Sequence, residues 1–207
     1  IKNKNIIRLD PNEIAQLLDE AESGEKLSGR QLASHEKTKV RDVAILTLLL
    51  GTGIRVSECV GLNLEDVDFN NGAIRIIRKG GNEALIYFGD EVSQALEAYM
   101  NGPRKKDEPA AGHEEALFIS LNKTRITTRS VERLVKKYSR LVTTVKKITP
   151  HKLRSTFGTA LYQETGDIYL VADTLGHKDV NTTKKHYAAI DEHRRRMAAN
   201  VVKLRES

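Results

Sequence analysis

The chain has 207 residues, a formal net charge of +6 and a single cysteine. That length suits one domain whose core needs neither metal nor disulfide, and Cys59 has no second cysteine to pair with. The longest strongly apolar run, Val43–Leu50, falls far short of the ~20 residues that cross a bilayer, so no membrane role is indicated. Cys59 sits in Val56-Ser57-Glu58-Cys59-Val60 and reads as a small buried hydrophobe, in keeping with a reducing, cytoplasmic setting. The chain opens on Ile1 without a basic-then-apolar leader, and an upstream part is expected.

Asp10-Pro11-Asn12-Glu13 predicts a helix start, with Asp10 as cap, proline in the first turn and Glu13 bonding back; that helix runs to about Glu22. Ser23–Glu36 is polar and glycine-bearing, and predicts a loop. From about Lys39 a nearly continuous apolar run predicts a central helix buried all round and capped by Gly51. After Gly72 the pattern shifts to short β-rich runs, Ala73–Arg78 and Ala84–Phe88, joined by Lys79-Gly80-Gly81-Asn82-Glu83: a hairpin. A helix from Asp90 to about Asn101, an exposed connector over Gly102–Glu115 and a short strand at Leu117-Phe118-Ile119 follow. Helices are then expected at Thr128–Val142, Pro150–Glu164, Ile168–Leu175, Asn181–Ile190 and Asp191 to about Leu204.

Charge is unevenly spread. Between Lys123 and Arg154 eleven Lys/Arg face one acid, Glu132, so that stretch carries +10 and the remainder −4. At roughly 100° per residue, Arg129, Arg133, Lys136, Lys137 and Arg140 fall on one side of the Thr128–Val142 helix. Val131, Leu134, Val135, Tyr138, Leu141 and Val142 fall on the other. Solvated helix faces usually mix both signs, so a purely basic one favours phosphate contact over mere solvation.

Four scattered pieces carry chemistry. Gly53-Ile54-Arg55-Val56-Ser57-Glu58 sets an arginine after a glycine break, with Glu58 three residues on to orient the guanidinium, although an ordinary surface ion pair has the same spacing. Thr149-Pro150-His151-Lys152-Leu153-Arg154 puts His151 and Arg154 three apart in a first helical turn, beside unpaired backbone N–H groups. Leu175-Gly176-His177 presents a histidine at a helix end, and Thr182-Thr183-Lys184-Lys185-His186-Tyr187 carries a tyrosine on a basic helix.

In this order, Arg55, Lys79, His151-x-x-Arg154, His177 and Tyr187 resemble the signature of the tyrosine recombinases, the phage integrase family. The likeness runs from about Asp42 to Tyr187 and includes Thr-Pro-His-Lys-Leu-Arg-Ser-Thr-Phe and Leu-Gly-His-Lys-Asp-Val-Asn-Thr-Thr. It departs from the family pattern at the lysine turn, where Arg78 stands for a usual glycine and Asn82 and Ala84 for usual basic residues. The His177-to-Tyr187 interval of ten residues is one longer than in the commonest members.

The resemblance implies an α+β, mainly helical catalytic domain over residues 1–207 with a small three-stranded antiparallel sheet, and a DNA-clamping domain upstream. A phosphodiester is anionic and gathers more charge in its pentacoordinate transition state, which Arg55 and Arg154 would neutralise as permanently charged forks. A phenol with an ordinary pKa near ~10 needs a positive field and a base, and His151 is the candidate base. The resemblance further implies that Lys79 protonates the departing 5′-oxygen, that His177 hydrogen-bonds the phosphate, and that Tyr187 stays joined to the 3′-phosphate without metal or nucleotide cofactor. It also implies double-stranded DNA as partner, four protomers on two duplexes during exchange, and accessory DNA-bending or directionality proteins in a prokaryotic nucleoid. Met197, Val201 and Leu204, in the 191–207 tail, could dock on a neighbouring protomer or pack within their own.

Two other classes share features of the chain. A type IB topoisomerase would use closely similar residues to nick and reseal one strand, and a non-catalytic DNA-binding protein would need only the basic helix. A hydrolase metal built from the six histidines is disfavoured, because His151 and His177 lack a nearby Cys or carboxylate at ligand spacing.

Overall fold

The structure, a computed structural model, describes residues 7–199, 201 and 204–205. Two compact units divide the chain, one over Arg8–Phe157 and the other from Gly158 onward joined by Ile7.

In the larger unit, α1 (Pro11–Ser23) begins as its sequence dictates: Asp10 accepts from the Glu13 amide, and Glu13 accepts from the Asp10 amide at 3.0 Å. Such a capping box is worth on the order of 1 kcal/mol. The central helix α2 (Gly29–Thr52) starts ten residues earlier than its apolar pattern suggests, so the expected Ser23–Glu36 loop shrinks to a short turn. Its first turns are polar because they face solvent, and they are anchored by fully buried His35, whose Nε2 lies 2.8 Å from the Ala21 carbonyl oxygen. From Ala44 through Leu49 every residue is buried, as expected of a helix covered on all sides. Gly51 does not end it. A Cβ there would lie 2.5 Å from a methyl of Val92, so that glycine permits close approach of the next long helix, and the left-handed cap is Gly53 (φ 69°).

A short helix α3 (Val56–Val60) and a 3₁₀ turn lead into a three-stranded antiparallel sheet ordered β1 (Val67–Asp68), β2 (Ala73–Ile77), β3 (Glu83–Tyr87). Ile74 pairs with Val67 on one side and Ile86 on the other. The hairpin is where the alternation placed it. The third strand is not: Leu117–Ile119 is flanked only by isolated bridges, Asn63 to Ala116 and Ile119 to Arg125, whereas Val67–Asp68 is too short to show an alternating pattern. Helix α4 (Asp90–Asn101) packs on α2, and a one-turn α5 (Pro103–Lys106) sits inside the expected connector.

Helix α6 (Thr128–Ser139) is capped by Thr127 and ends three residues before Val142. Val131, Leu134, Val135 and Tyr138 are buried on its inner face, while Arg129, Arg133, Lys136 and Arg140 are exposed and Lys137 half-buried. A buried carboxylate fastens α6 to α2: Asp42 accepts from the Tyr138 hydroxyl at 2.6 Å, from Thr38 at 2.9 Å and from the Arg41 guanidinium at 3.0 Å. Helix α7 (Pro150–Thr165) begins in this unit.

The smaller unit holds the second half of α7 with α8 (Ile168–Leu175), α9 (Val180–His186) and α10 (Ala188–Ala198). The sequence suggested one helix over Asn181–Ile190, but the chain breaks at Tyr187, whose φ of −105° and ψ of 16° leave the helical region. The expected final helix therefore starts at Ala188 and ends at Ala198; of its remaining positions, 200, 202 and 203, like 206 and 207 of the tail, lie outside the described residues.

Candidate active site

In the larger unit the αL turn at Gly53 is the organising feature. A Cβ on Gly53 would fall 2.2 Å from the Phe157 ring, so both its conformation and its surroundings require glycine. The turn delivers Arg55 to the cap of α3, where Glu58 serves it twice: one carboxylate oxygen accepts from the Arg55 amide at 2.8 Å, the other from its guanidinium at 3.4 Å. Glu58 is buried while the Arg55 side chain is 43% exposed, so the carboxylate holds one terminal nitrogen of the guanidinium and leaves the side chain accessible to a ligand. Arg154 is buried and donates to the Gly53 carbonyl oxygen at 2.6 Å. Two permanent cations are thus fixed on one turn, at Gly53 and Arg55.

His151 stands exposed in the first turn of α7. Partial desolvation, reinforced by Lys152, Arg154 and Arg55, holds its imidazole below the usual histidine value of 6.5, so the ring is neutral at pH 7 and can accept a proton. Lys79 lies exposed on the β2–β3 turn, which is closed by the Arg78 amide donating to the Asn82 carbonyl oxygen at 2.7 Å and opened for tight curvature by Gly80 and Gly81 at φ 88° and 81°.

An open cleft of about 940 Å³ joins the end of α6 to the start of α7, lined among others by Lys136, Arg140, Lys146, Lys147, Thr149 and His151. Not every cation of the basic stretch is available to a ligand. Arg125 is spent on the Val60 and Leu62 carbonyl oxygens and Asn63, Lys123 on Asp107, and Lys146 on Glu13. By contrast, none of Arg129, Arg133, Lys136, Lys137 or Arg140 forms a salt bridge among the described residues. Burial pushes the Cys59 thiol up to about 12, which leaves it an inert core residue.

In the smaller unit, Gly176 (φ 72°) caps α8, and the following His177 amide donates to the Ala172 carbonyl oxygen at 2.9 Å. The His177 Nδ1 lies 2.5 Å from the hydroxyl of Thr183. Tyr187 is 1% exposed. Its ring stacks on Tyr162 (centroids 5.6 Å apart, 29° between planes), with His186 edge-on at 4.8 Å. A Cβ on Gly158 would lie 2.1 Å from the Tyr187 hydroxyl. Tyr162 in turn donates its hydroxyl to Asp191 and lies beneath Arg194, which also donates to the Tyr162 carbonyl oxygen at 3.1 Å and so caps the end of α7.

Gly158, Tyr162, Thr183, Asp191 and Arg194 were not singled out by the sequence reading. Only Gly158 carried a usable signal, since a glycine inside a helical pattern costs about 1 kcal/mol against alanine and calls for a packing reason. Among the described residues no three His, Cys, Asp or Glu side chains are grouped to hold a metal ion, and no helix is long and apolar enough to cross a membrane.

The phage integrase family pattern matches residues 7–194, a span that contains all six catalytic candidates. The chain belongs to the phage integrase family, the tyrosine recombinases. Family relatives include a tyrosine recombinase XerC of Syntrophus aciditrophicus, 38% identical over 152 residues that make up 72% of this chain and 49% of that protein. A tyrosine recombinase XerS of Streptococcus gordonii is 37% identical over 186 residues, 88% of this chain and 51% of that protein. The chain thus spans about half the length of the curated relatives it matches. Among solved structures, XerA recombinase superposes with a TM-score of 0.74 at 27% identity, covering 92% of this chain and 65% of that one. XerH recombinase bound to difH in a post-cleavage complex superposes at 0.76, over 96% of this chain and 54% of that one, with 23% identity that speaks to fold alone. The mainly helical α+β architecture with its small antiparallel sheet is that of this family's catalytic domains.

Proposed function

We propose that residues 1–207 form the catalytic domain of a site-specific DNA recombinase that cuts and rejoins strands through a 3′-phosphotyrosine. The observation that carries this reading is the Gly53–Arg55 turn, on which Arg154 and Arg55 are both fixed, in a chain of the phage integrase family. Two guanidinium groups with fixed geometry match the non-bridging oxygens of a phosphodiester and never lose their protons. The Tyr187 oxygen bonds to phosphorus as the bond to the 5′-oxygen breaks; His151 takes the phenol proton and Lys79 gives one to the departing oxygen. His177 hydrogen-bonds the phosphate. The phosphotyrosine conserves the ester for attack by the 5′-hydroxyl of another strand, so neither water nor a nucleotide is consumed.

Double-stranded DNA is the partner, held along the exposed cations of α6. The relatives' greater length supports an upstream clamp domain, and exchange would involve four protomers on two duplexes inside a bacterial cell, at the nucleoid, with accessory proteins setting direction. Met197, Val201 and Leu204 are exposed and would be the apolar contacts of a tail that docks on a neighbouring protomer.

Incubation with a nicked duplex carrying the target site, followed by a denaturing gel, tests the chemistry. The parent protein forms a covalent adduct and Tyr187→Phe forms none while still binding DNA in a salt-sensitive way. Arg154→Ala loses cleavage by on the order of 10²–10³, as for deletion of one oxyanion donor, and far less of its affinity. An equal adduct in Tyr187→Phe would refute the nucleophile.

A further inference from the structure

Thr183 has a property that packing alone does not require. It is fully buried on α9, its hydroxyl is 2.5 Å from the His177 Nδ1, and its carbonyl oxygen accepts from the Tyr187 amide at 3.1 Å. One residue therefore touches both functional side chains' segments in the smaller unit. The His177 backbone is pinned by the Ala172 carbonyl oxygen, and the Thr183 contact restrains the rotation of the ring.

We propose that Thr183 is a positioning residue that donates its hydroxyl proton to the His177 Nδ1 and so holds the imidazole in the Nε2–H form. A neutral imidazole has one donor and one acceptor nitrogen, and the partner of one decides the role of the other. With Nδ1 accepting from Thr183, Nε2 carries the proton and is a hydrogen-bond donor whether the ring is neutral or charged. An anionic phosphate oxygen needs that donor; the opposite form would turn a lone pair toward it. The same logic governs a histidine whose orienting partner is lost, where the wrong tautomer slows chemistry with the geometry intact. This inference rests on the reading of His177 as a phosphate ligand.

Two substitutions separate orientation from packing. Thr183→Val keeps the branched shape and removes the hydroxyl; Thr183→Ser keeps the hydroxyl and removes a methyl group. If Thr183 only fills space, valine is tolerated and serine is the worse replacement. If it orients His177, the order inverts. Long-range ¹H–¹⁵N spectra of the ring should show the Nε2–H form in the parent and in Thr183→Ser, and a mixture or the opposite form in Thr183→Val. Single-turnover adduct formation at saturating DNA should slow about ten-fold in Thr183→Val, the worth of one hydrogen bond, and return to within about three-fold in Thr183→Ser. DNA affinity should stay within about two-fold throughout. A Nδ1–H ring in the parent, or a valine variant as fast as the parent, would overturn the proposal. A Tyr187→Phe protein that still forms adduct would instead sink the nucleophile assignment, while the spectra would continue to judge Thr183 by themselves.

Discussion

At His151, the base of the proposed reaction, the neighbouring cations also set the acidity of the ring. Lys152, Arg154 and Arg55 add to partial desolvation in disfavouring the imidazolium, so the ring keeps its lone pair at a pH where an unperturbed histidine, near ~6.5, is already half protonated. As pH falls, the acid limb of adduct formation should have its midpoint below the 6.5 of an unperturbed histidine. Lys152→Gln removes the second cause and leaves desolvation and both arginines, so the acid limb should move up toward 6.5 while the plateau rate is kept. A pH profile of single-turnover cleavage for the two proteins checks this, and an unmoved limb would mean that Lys152 is screened by solvent. The reach of Glu58 to Arg55 was legible because spacing alone fixes it, three residues on in a first helical turn, whereas the bond of Arg154 to the Gly53 carbonyl oxygen spans about a hundred positions and was not. Tyr162, Asp191 and Arg194 were not legible, because their contacts join α7 to α10 across some thirty positions of sequence and no local pattern records such a pairing.

Helices show the same division between local and tertiary causes. The capping box of α1 and the two faces of α6 follow from neighbours three and four residues away, and both were readable. The start of α2 was not, since its exposed polar turns are held by His35 reaching Ala21; nor was the role of Gly51, whose reason is Val92 on another helix. The attachment of α6 to α2 rests on one buried carboxylate that serves Tyr138, Thr38 and Arg41 together. Asp42→Ala strands the buried Tyr138 hydroxyl and leaves the Arg41 guanidinium only the Ile119 carbonyl oxygen, and should lower stability by about 3–5 kcal/mol, the usual cost of breaking a buried pair from one side. Tyr138→Phe leaves the carboxylate its other donors and should cost about 1–2 kcal/mol. Denaturant titration ranks the two, and equal losses would mean that the Arg41 pair contributes nothing. The outward face of α6 makes a separate prediction. Replacing Arg133, Lys136 and Arg140 by glutamine should weaken binding of any DNA sequence alike and reduce the slope of log K against log salt by about 0.9 for each phosphate contact removed. A slope unchanged in the triple variant would take α6 off the DNA.

At the scale of the whole molecule, sequence charge and surface charge are different quantities. The +10 stretch from Lys123 to Arg154 loses Arg125, Lys123 and Lys146 to internal partners, and what is left for a polyanion is the α6 face and the cleft beside His151. The tail poses the converse problem, apolar side chains left exposed among the described residues. Met197, Val201 and Leu204 are 59%, 73% and 92% exposed, so their own fold gains little from them, a fully buried side chain of this size being worth roughly 1.5–3 kcal/mol. Arg194 is different, since it caps α7 and covers Tyr162. A truncation that tests assembly must therefore spare it. Removal of residues 197–207 should leave the melting temperature of the isolated protein within about 2 °C, because a loss of ~0.5 kcal/mol shifts a domain of this size by no more than that. If the three side chains dock on a neighbouring protomer as proposed, the same truncation should lower the proportion of higher-order complexes on DNA. Native gels of the truncated and full proteins on a duplex with two target sites compare the two effects. Unchanged assembly would return the tail to solvent, and a large fall in melting temperature with assembly intact would show that it packs at home.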